Sequence, residues 1–449
     1  MKVSVVTPNY NGVKFLENYF KSLNHDSEFI GEVIIIDNGS TDSSLDYIQN
    51  NSFNFPVVVI KNDENLGFAP AVNQGISKAK YDYVFSLNND TEIQKDSIKS
   101  MVDLIRDENV FSVQAKMLQA DNKKLIDDAG DEYNLLGWTK KIGENQDSDN
   151  YSQVNEIFSS CAGAALYKKC VFDEIGLFDD NYFAYMEDVD LAIRSQIYGY
   201  RNLLDPDAIV YHIGSATSGS RYNEFKVKIA ARNNVWTVYK NLPVPLKIIN
   251  FIFLFFGFLI KYLFFLRKGF GPTYLKGLKE GLNTKSKVNK VNFKKSNLKN
   301  YFRLEYKLII NTLKFLKKWI NMDLSVVIVN YGTFELTKNT VNSILDYSYP
   351  FDVEIIIVDN ASKDDSLSKL RKYFDGRVKF IASEHNNGFA AGNNQALRIV
   401  DSKYVLLLNS DTIVWKNTLE NIYHYMENNS DVGACGCQVL LEDNTLDKA

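Results

Sequence analysis

Asp90 closes the triplet Asn88, Asn89, Asp90, directly after the short apolar run 83–87. A hard divalent cation shared with a diphosphate needs few protein oxygens, because phosphate oxygens and waters fill its other positions. One loop carboxylate therefore suits Mn2+ or Mg2+ at Asp90. The competing reading of the triplet is an Asx turn. Asp37 ends another apolar run, 32–36. It either caps a helix starting near Thr41 or accepts a hydrogen bond from the imide N–H of a uracil or thymine base. Farther on, Val189, Ile193 and Ile197 recur at four-residue spacing, which predicts a helix from Asp188 that buries this face. A carboxylate at a helix start is held ionised by orphan N–H groups and the dipole, as a general base must be. The alternative for Asp188 is a plain N-cap, and for Glu187 and Asp190 it is solvated helix-face charge, the reading preferred for Asp190. His212 follows the strand-like run 209–211, as a metal ligand or a structural histidine. Trp138 and Tyr185 either stack on a sugar ring or pack in the core.

These residues need a frame. The runs 3–6, 32–36, 57–60 and 83–87 are β-branched-rich and bounded by Gly, Asn, Asp or Pro, as buried parallel strands are. Amphipathic stretches at 13–23 and 70–78 are long enough for crossover helices. The class is α/β, a doubly wound sheet, in which ligands bind beyond the carboxyl ends of the strands. Thr7, Asn9, Asp37, Asn88, Asn89 and Asp90 all fall there.

The same order of segments returns at an offset of 321 or 322. SVVTPNY is answered by SVVIVNY from Ser325, IDNGSTD by VDNASKD around Asp359, NLGFA by NNGFA around Asn386 and Gly388, and LNNDT by LNSDT around Asp411. Four matches in register imply a duplication. The offset carries Glu187, Asp188 and His212 to positions beyond residue 449. The second copy, 321–449, is thus expected to keep only a donor-binding half, Asp359, Asn386, Gly388 and Asp411, and to transfer nothing.

The 449 residues carry a net charge of −4, but from Lys261 to Lys318 sixteen Lys or Arg stand against two acids. Such a block faces phosphate, and the absence of a nucleic-acid module favours an anionic membrane surface over nucleic acid. Residues 248–266 are apolar except for Asn250 and Lys261 and are marginal for a span. Phe302, Tyr306, Ile309, Ile310, Leu313, Leu316 and Ile320 form an interfacial stripe. The expected layout is a catalytic domain at 1–240, a membrane-associating helical linker at 241–320, and the partial copy. Four cysteines without metal spacing, Cys435 and Cys437 expected in a buried strand, and an N-terminus without a signal-like segment predict a cytoplasmic protein, peripheral or monotopic on the inner membrane face.

Taken together, VSVVTPNYNG, IDNGSTDSS, NLGFAPAVNQGI, LNNDTEI, the segment SSCAGAALYKKCVFDEIGLFDDNYFAYMEDVDLAIRSQIYGY and VYHIGSATSG resemble family 2 glycosyltransferases of the GT-A fold. The likeness is to bacterial rhamnosyl- and galactofuranosyltransferase-like enzymes of surface polysaccharide assembly. It implies a nucleotide-sugar donor (dTDP- or UDP-), a glycan or polyprenyl-linked acceptor and inversion at the anomeric carbon. It also implies Asp188 as base with Glu187 beside it, Asp90 as metal ligand with His212 near the metal, and Thr7, Asn9, Asp37, Asn65, Gly67, Asn73, Asn88 and Asn89 on the donor. Asn88 stands where the family's triplet often has Asp. A dehydrogenase is disfavoured because no Gly-x-Gly-x-x-Gly follows the first strand. A nucleotidyltransferase is disfavoured because residues 7–12 hold one Gly and no Arg. The non-enzymatic alternative is a sugar-nucleotide-binding scaffold that has lost catalysis.

Overall fold

The computed structural model describes every residue except 145, 147, 214–221, 321, 322, 350, 430, 431, 442, 444, 448 and 449. The chain divides into two compact units, Met1–Thr312 and Leu313–Ala449.

In the first unit β1 (Val3–Asn9), β2 (Ile30–Asn38), β3 (Val57–Asn62) and β4 (Tyr83–Leu87) run parallel in the order β3-β2-β1-β4. Alternation along these strands sends apolar side chains to both faces. Val3, Val5, Val33 and Ile35 pack with Leu16, Tyr19 and Leu23 of α1 (Val13–Leu23) and Ile48 of α2 (Ser44–Asn50). Val6, Ile34 and Ile36 pack with Ala71, Val72 and Ile76 of α3 (Phe68–Lys78). The doubly wound expectation holds.

The sheet then widens through β5 (Thr91–Ile93), β6 (Val110–Gln119), β7 (Ile126–Asp128) and β10 (Asn155–Ile157), with α4 (Ser97–Ile105) after β5 and a separate two-stranded hairpin of β8 (Asp131–Tyr133) and β9 (Thr139–Lys141). It is completed by β11 (Ala164–Lys168), α5 (Lys169–Ile175), α6 (Glu187–Ile197) and β12 (Arg201–His212). β11 lies antiparallel between β4 and β6, and β12 runs parallel to β6. The short β5 pairs with β12 so that Thr91 stands opposite His212, which sets His212 beside the triplet.

The first unit ends in α7 (Glu224–Asn241), α8 (Val244–Ile249), α9 (Phe251–Arg267), α10 (Gly271–Thr284) and most of α11 (Leu298–Ile320). The membrane-associating linker was expected at 241–320; residues 241–312 of it fall within the first compact unit. Leu242, Tyr301, Leu304 and Leu308 share a core with Tyr133, Phe158, Val189 and Ile193. The stripe on α11 is therefore one of two apolar faces: Tyr301, Leu304 and Leu308 are buried while Phe302, Tyr306 and Ile309 are exposed. On α8 and α9, Ile248, Ile249, Phe251, Ile252, Phe255 and Phe256 also face outward. The 17 residues of α9 span about 25 Å, short of the hydrocarbon core of about 30 Å. Among the described residues no helix is long and apolar enough to cross a membrane.

The second unit repeats the start of the first. It runs β13 (Leu324–Asn330), α12 (Phe334–Leu345), β14 (Val353–Asp359), α13 (Ser366–Phe374), β15 (Lys379–Ala382), α14 (Gly388–Leu397), β16 (Tyr404–Asn409) and α15 (Thr418–Asn428). The parallel order is β15-β14-β13-β16, the counterpart of β3-β2-β1-β4. The strand expected around Cys435 and Cys437 does not form, and both cysteines are exposed. At the repeat offset this stretch corresponds to β6, which is held in the first unit by β11 and β12. Counterparts of those strands are not among the 449 residues, so the backbone has no ladder to join.

Candidate active site

The loops after β1, β2 and β4 are tied into one wall by amides and a carboxylate. Asn9 is paired in register with Asp37. Its Nδ2 donates to Asp37 Oδ1 (3.1 Å) and Ser40 Oγ (3.2 Å), and its Oδ1 accepts from Asn89 Nδ2 (2.7 Å). Asp37 is wholly buried, and its second oxygen accepts from the Ser40 amide at 3.2 Å. It caps no helix, since α2 begins only at Ser44. A side chain on Gly12 would stand 2.0 Å from Asn89 Nδ2, so this close approach needs glycine.

A second amide, Asn38, shapes the neighbouring loop. Its Nδ2 donates to Asn65 Oδ1 (2.9 Å) and to the Gly67 carbonyl (3.1 Å), while Asn65 Oδ1 also accepts from the Gly67 amide (2.9 Å). Gly67 adopts φ +96°, and a Cβ there would lie 2.6 Å from the Phe183 carbonyl oxygen. Two residues proposed to touch the donor are committed elsewhere. The Thr7 hydroxyl is buried against the Tyr19 hydroxyl. Asn73 Nδ2 donates to the Phe178 carbonyl and to Asp180 Oδ1, both at 2.7 Å, and its Oδ1 accepts from the Phe178 amide. With both N–H groups used, Asn73 holds the turn before α6 instead of presenting a donor group to ligand.

The metal candidates meet. Asp90 is buried, with His212 Nε2 3.5 Å from its Oδ1 and the Asp127 carboxylate 2.8 Å from His212 Nδ1. Two ligands each about 2.1 Å from one cation lie about 3.0–3.5 Å apart, so the Asp90–His212 separation fits a shared ion. Asp127 on the far ring nitrogen is the carboxylate–histidine arrangement that orients a metal-ligating imidazole. Burial by itself would lower the His212 pKa, but Asp127 and Asp90 outweigh it and push it up to about 9. A proton thus takes the place a cation would compete for. Among the described residues no group of three or more His, Cys, Asp or Glu is arranged to hold an ion unaided, in keeping with a cation that draws its other ligands from a diphosphate. The Gly214–Gly219 part of the motif after His212 lies outside the described residues.

The base candidate faces the same wall. The Asn88 amide donates to the Gly163 carbonyl (2.9 Å), and one residue earlier the Ala162 amide donates to Asp188 Oδ1 (3.3 Å). The loop 161–163 therefore joins the triplet to Asp188. α6 starts at Glu187, one residue earlier than expected, after Tyr185 and Met186 at positive φ. The dipole does not decide the charge of Asp188. Burial, then the neighbouring Glu187, Asp131 and Asp128, hold its carboxyl well above the usual range, and burial raises Glu187 to about 7. Glu187 Oε2 is buried and has no hydrogen-bond partner among the described residues.

Asp190 corrects the sequence reading. It is fully buried, with Arg194 Nη2 at 2.8 Å, Lys240 Nζ at 2.9 Å and Asn241 Nδ2 at 2.8 Å. Trp138 is buried too, its indole N–H bonded to the Gly257 carbonyl. The sequence reading missed the short strand β7, which supplies Asp127 and Asp128, and the β8–β9 hairpin after it, which supplies Asp131 and Lys141. Lys141 Nζ lies 3.4 Å from Asp128 and 3.6 Å from Asp127. The signal was present as the acid-dense Asp-Asp-Ala-Gly-Asp at 127–131, ahead of two lysines.

In the second unit the donor wall is copied. Asn330 Nδ2 donates to Asp359 Oδ1 (2.6 Å), and Asn360 Nδ2 to Asn386 Oδ1 (2.8 Å) and the Gly388 carbonyl (3.2 Å). Asp411, by contrast, is exposed.

The sequence profile described as Glycosyl transferase family 2 matches residues 4–176 and again 325–448. The chain belongs to glycosyltransferase family 2. The fold that carries the site is the GT-A fold, in keeping with that family. TuaG of Bacillus subtilis (strain 168), whose name provisionally assigns it to teichuronic acid biosynthesis, is 34% identical over 128 residues, 28% of this chain and 50% of that protein. The poly-beta-1,6-N-acetyl-D-glucosamine synthase of Staphylococcus aureus (strain COL) is 27% identical over 198 residues, 43% of this chain and 45% of the synthase. The chain thus spans about half the length of these relatives. Among solved structures, S. aureus TarS 1-349 in complex with UDP-GlcNAc aligns with a TM-score of 0.44 and 17% identity, covering 63% of this chain and 81% of that one.

Proposed function

We propose that the first unit is an inverting, metal-dependent hexosyltransferase. It moves a sugar from a dTDP- or UDP-linked donor to a hydroxyl of a glycan or polyprenyl-linked acceptor in cell-surface polysaccharide synthesis. The observation that carries this reading is the hydrogen-bonded path from Asn88 through residues 163 and 162 to Asp188. It keeps the Asp90–His212 pair and the base on one wall. A bound Mn2+ or Mg2+ would supply Lewis-acid stabilisation of the leaving diphosphate, held by Asp90 and His212. Asp127 fixes the His212 ring, and Asn9, Asp37, Asn89, Asn65 and Gly67 shape the donor wall. Asp188 takes the proton of the attacking acceptor hydroxyl, and Glu187 Oε2 is placed to bind that acceptor. The relatives' names, teichuronic acid and poly-N-acetylglucosamine, support a surface-polymer product. The outward apolar residues of α8 and α9 support work at the cytoplasmic face of a membrane, bound peripherally.

The test is a panel of UDP-, dTDP- and GDP-sugars, read as donor-dependent thermal stabilisation and Mn2+- or Mg2+-dependent donor hydrolysis. One donor should stand out in both readouts, and Asp188→Asn should keep the stabilisation while losing transfer. Stabilisation by a donor with no turnover under any metal would favour the scaffold reading.

A further inference from the structure

Away from the cleft, a groove of about 550 Å3 lies between α8 and the start of α11. Leu242, Pro243, Leu246, Ile249, Tyr301 and Phe302 line it, and the charged side chains on its wall, Lys240, Lys247 and Lys290, are all cationic. Lys240 is committed, its ammonium 2.7 Å from Asp179 and 2.9 Å from Asp190. Lys247 donates to the Tyr239 carbonyl (2.8 Å), but neither it nor Lys290 has a carboxylate beside it among the described residues. With Lys285 they crowd over one ring, Tyr239, at 5.0, 4.5 and 5.5 Å from its centre. Among the described residues no carboxylate forms an ion pair with any of these three. One aromatic face does not neutralise three ammonium groups, each such contact being worth about 0.5–2 kcal/mol. Burial and the charges of Lys290 and Lys285 lower the Lys247 pKa, so the cluster already resists its own charge. An anion at this rim would relieve the repulsion, and the groove beneath offers apolar surface to an alkyl chain. The rim is continuous with the exposed apolar residues Val244, Ile248 and Ile249 of α8.

We propose that this groove seats one anionic phospholipid of the bilayer, its phosphate on Lys247, Lys285 and Lys290 and an acyl chain along Leu246, Ile249 and Phe302. The assignment rests on the membrane-face reading above and turns a diffuse basic block into a defined site. The experiment uses the full chain with phosphatidylcholine vesicles, with and without phosphatidylglycerol, in a co-sedimentation assay. Binding should require phosphatidylglycerol. Each ammonium at an anionic surface contributes about fivefold to partitioning, so the triple variant Lys247→Gln, Lys285→Gln, Lys290→Gln should bind about a hundredfold more weakly. The charge-matched triple variant Lys276→Gln, Lys279→Gln, Lys299→Gln should lose far less; an equal loss overturns the site in favour of diffuse attraction. Dihexanoyl phosphatidic acid should raise the melting temperature of the wild-type chain where glycerol 3-phosphate and inorganic phosphate do not. Equal stabilisation by inorganic phosphate, or none by the lipid, overturns a lipid seat. Both triple variants should keep the wild-type rate of metal-dependent donor hydrolysis. If the wild-type chain hydrolyses no donor yet binds these vesicles as described, the transferase reading fails and the lipid site stands.

Discussion

Under the proposed mechanism Asp188 is ionised when it takes a proton, yet both it and Glu187 are held toward the protonated form, so stability and chemistry oppose each other here. Both carboxyls have pKa values raised by burial, so the folded state holds protons that the unfolded state releases. For Glu187 the stabilising contribution is fully present below the ordinary 4.5 and is lost as pH rises through about 7. Stability should therefore fall across the interval in which transfer, which needs the ionised base, rises. Urea midpoints of the wild-type chain and of Glu187→Gln, taken from about pH 5 to about pH 8, should diverge with pH, the variant being the flatter. A constant difference would mean that burial does not hold the proton. Asp188→Asn keeps the volume and removes the proton acceptor, so donor binding should persist while transfer drops by about 10^2–10^4-fold. Asp127 acts one step back, through His212. Asp127→Asn should weaken Mn2+ activation about 10–100-fold with little change in donor affinity at saturating metal, which a Mn2+ titration of donor hydrolysis would read directly.

At the scale of elements, α6 is held by charges that come from far along the chain. Asp190 binds Arg194 on its own helix and Lys240 on α7, and Arg194 also donates to the carbonyls of Ile175, Gly176 and Leu177. Removing the carboxylate leaves the buried Arg194 guanidinium with carbonyls alone and Lys240 with Asp179 alone, so Asp190→Ala should cost about 3–5 kcal/mol in urea unfolding, where a solvated helix-face charge would cost less than about 0.5 kcal/mol. Gly67→Ala and Gly388→Ala form a matched pair. Both glycines have positive φ, but only at Gly67 would a Cβ meet Phe183, while at Gly388 nothing lies within 4 Å. The Gly67 variant should lose more stability than the roughly 1–2 kcal/mol of backbone strain expected at either site. Chemical denaturation that resolves the two units would check this. These particulars show what was legible beforehand. The parallel strands were, because each buried run is β-branched and ends at a loop residue able to do chemistry, as at Asn9, Asp37 and Asn88. Asp190 was misread because the row Val189, Ile193, Ile197 marks one buried face and gives no sign that α7 and the 175–177 carbonyls cover the flank beside it. Strand β7, which bears Asp127, and the β8–β9 hairpin, which bears Lys141, are built from three-residue strands, too short for periodicity to show. The strand at Cys435 failed for the opposite reason: its local pattern is strand-like, but pairing is supplied by distant segments.

For the molecule as a whole the duplication poses a question of labour, and the two walls answer it differently. The second unit reproduces the hydrogen bonds around Asp359 and Asn360, but Asn330 Oδ1 accepts from the Thr333 and Thr337 hydroxyls where Asn9 Oδ1 accepts from Asn89. Asp411 lacks what makes Asp90 a metal candidate. In the first unit β12 runs beside the triplet, the Ile213 amide donates to the Asp90 carbonyl, and His212 faces the carboxylate. In the second unit Asp411 is exposed. A single carboxylate in water holds Mg2+ or Mn2+ poorly without substrate phosphates and a second ligand. The second unit should then bind nucleotide weakly and transfer nothing, and the full chain allows this to be tested without cutting it. Calorimetric titration with the preferred nucleotide diphosphate and Mn2+ should show one metal-dependent site and, at most, one weaker site that tolerates chelation of the metal. Asp90→Ala should remove the first and Asp359→Ala the second. Transfer should vanish in Asp188→Asn, although the second unit is intact, and should be unchanged in Asp359→Ala and Asp411→Ala. Residual transfer in Asp188→Asn that disappeared when Asp411→Ala was added would assign catalysis to the second wall, and the division of labour drawn from the exposure of Asp411 would have to be reversed.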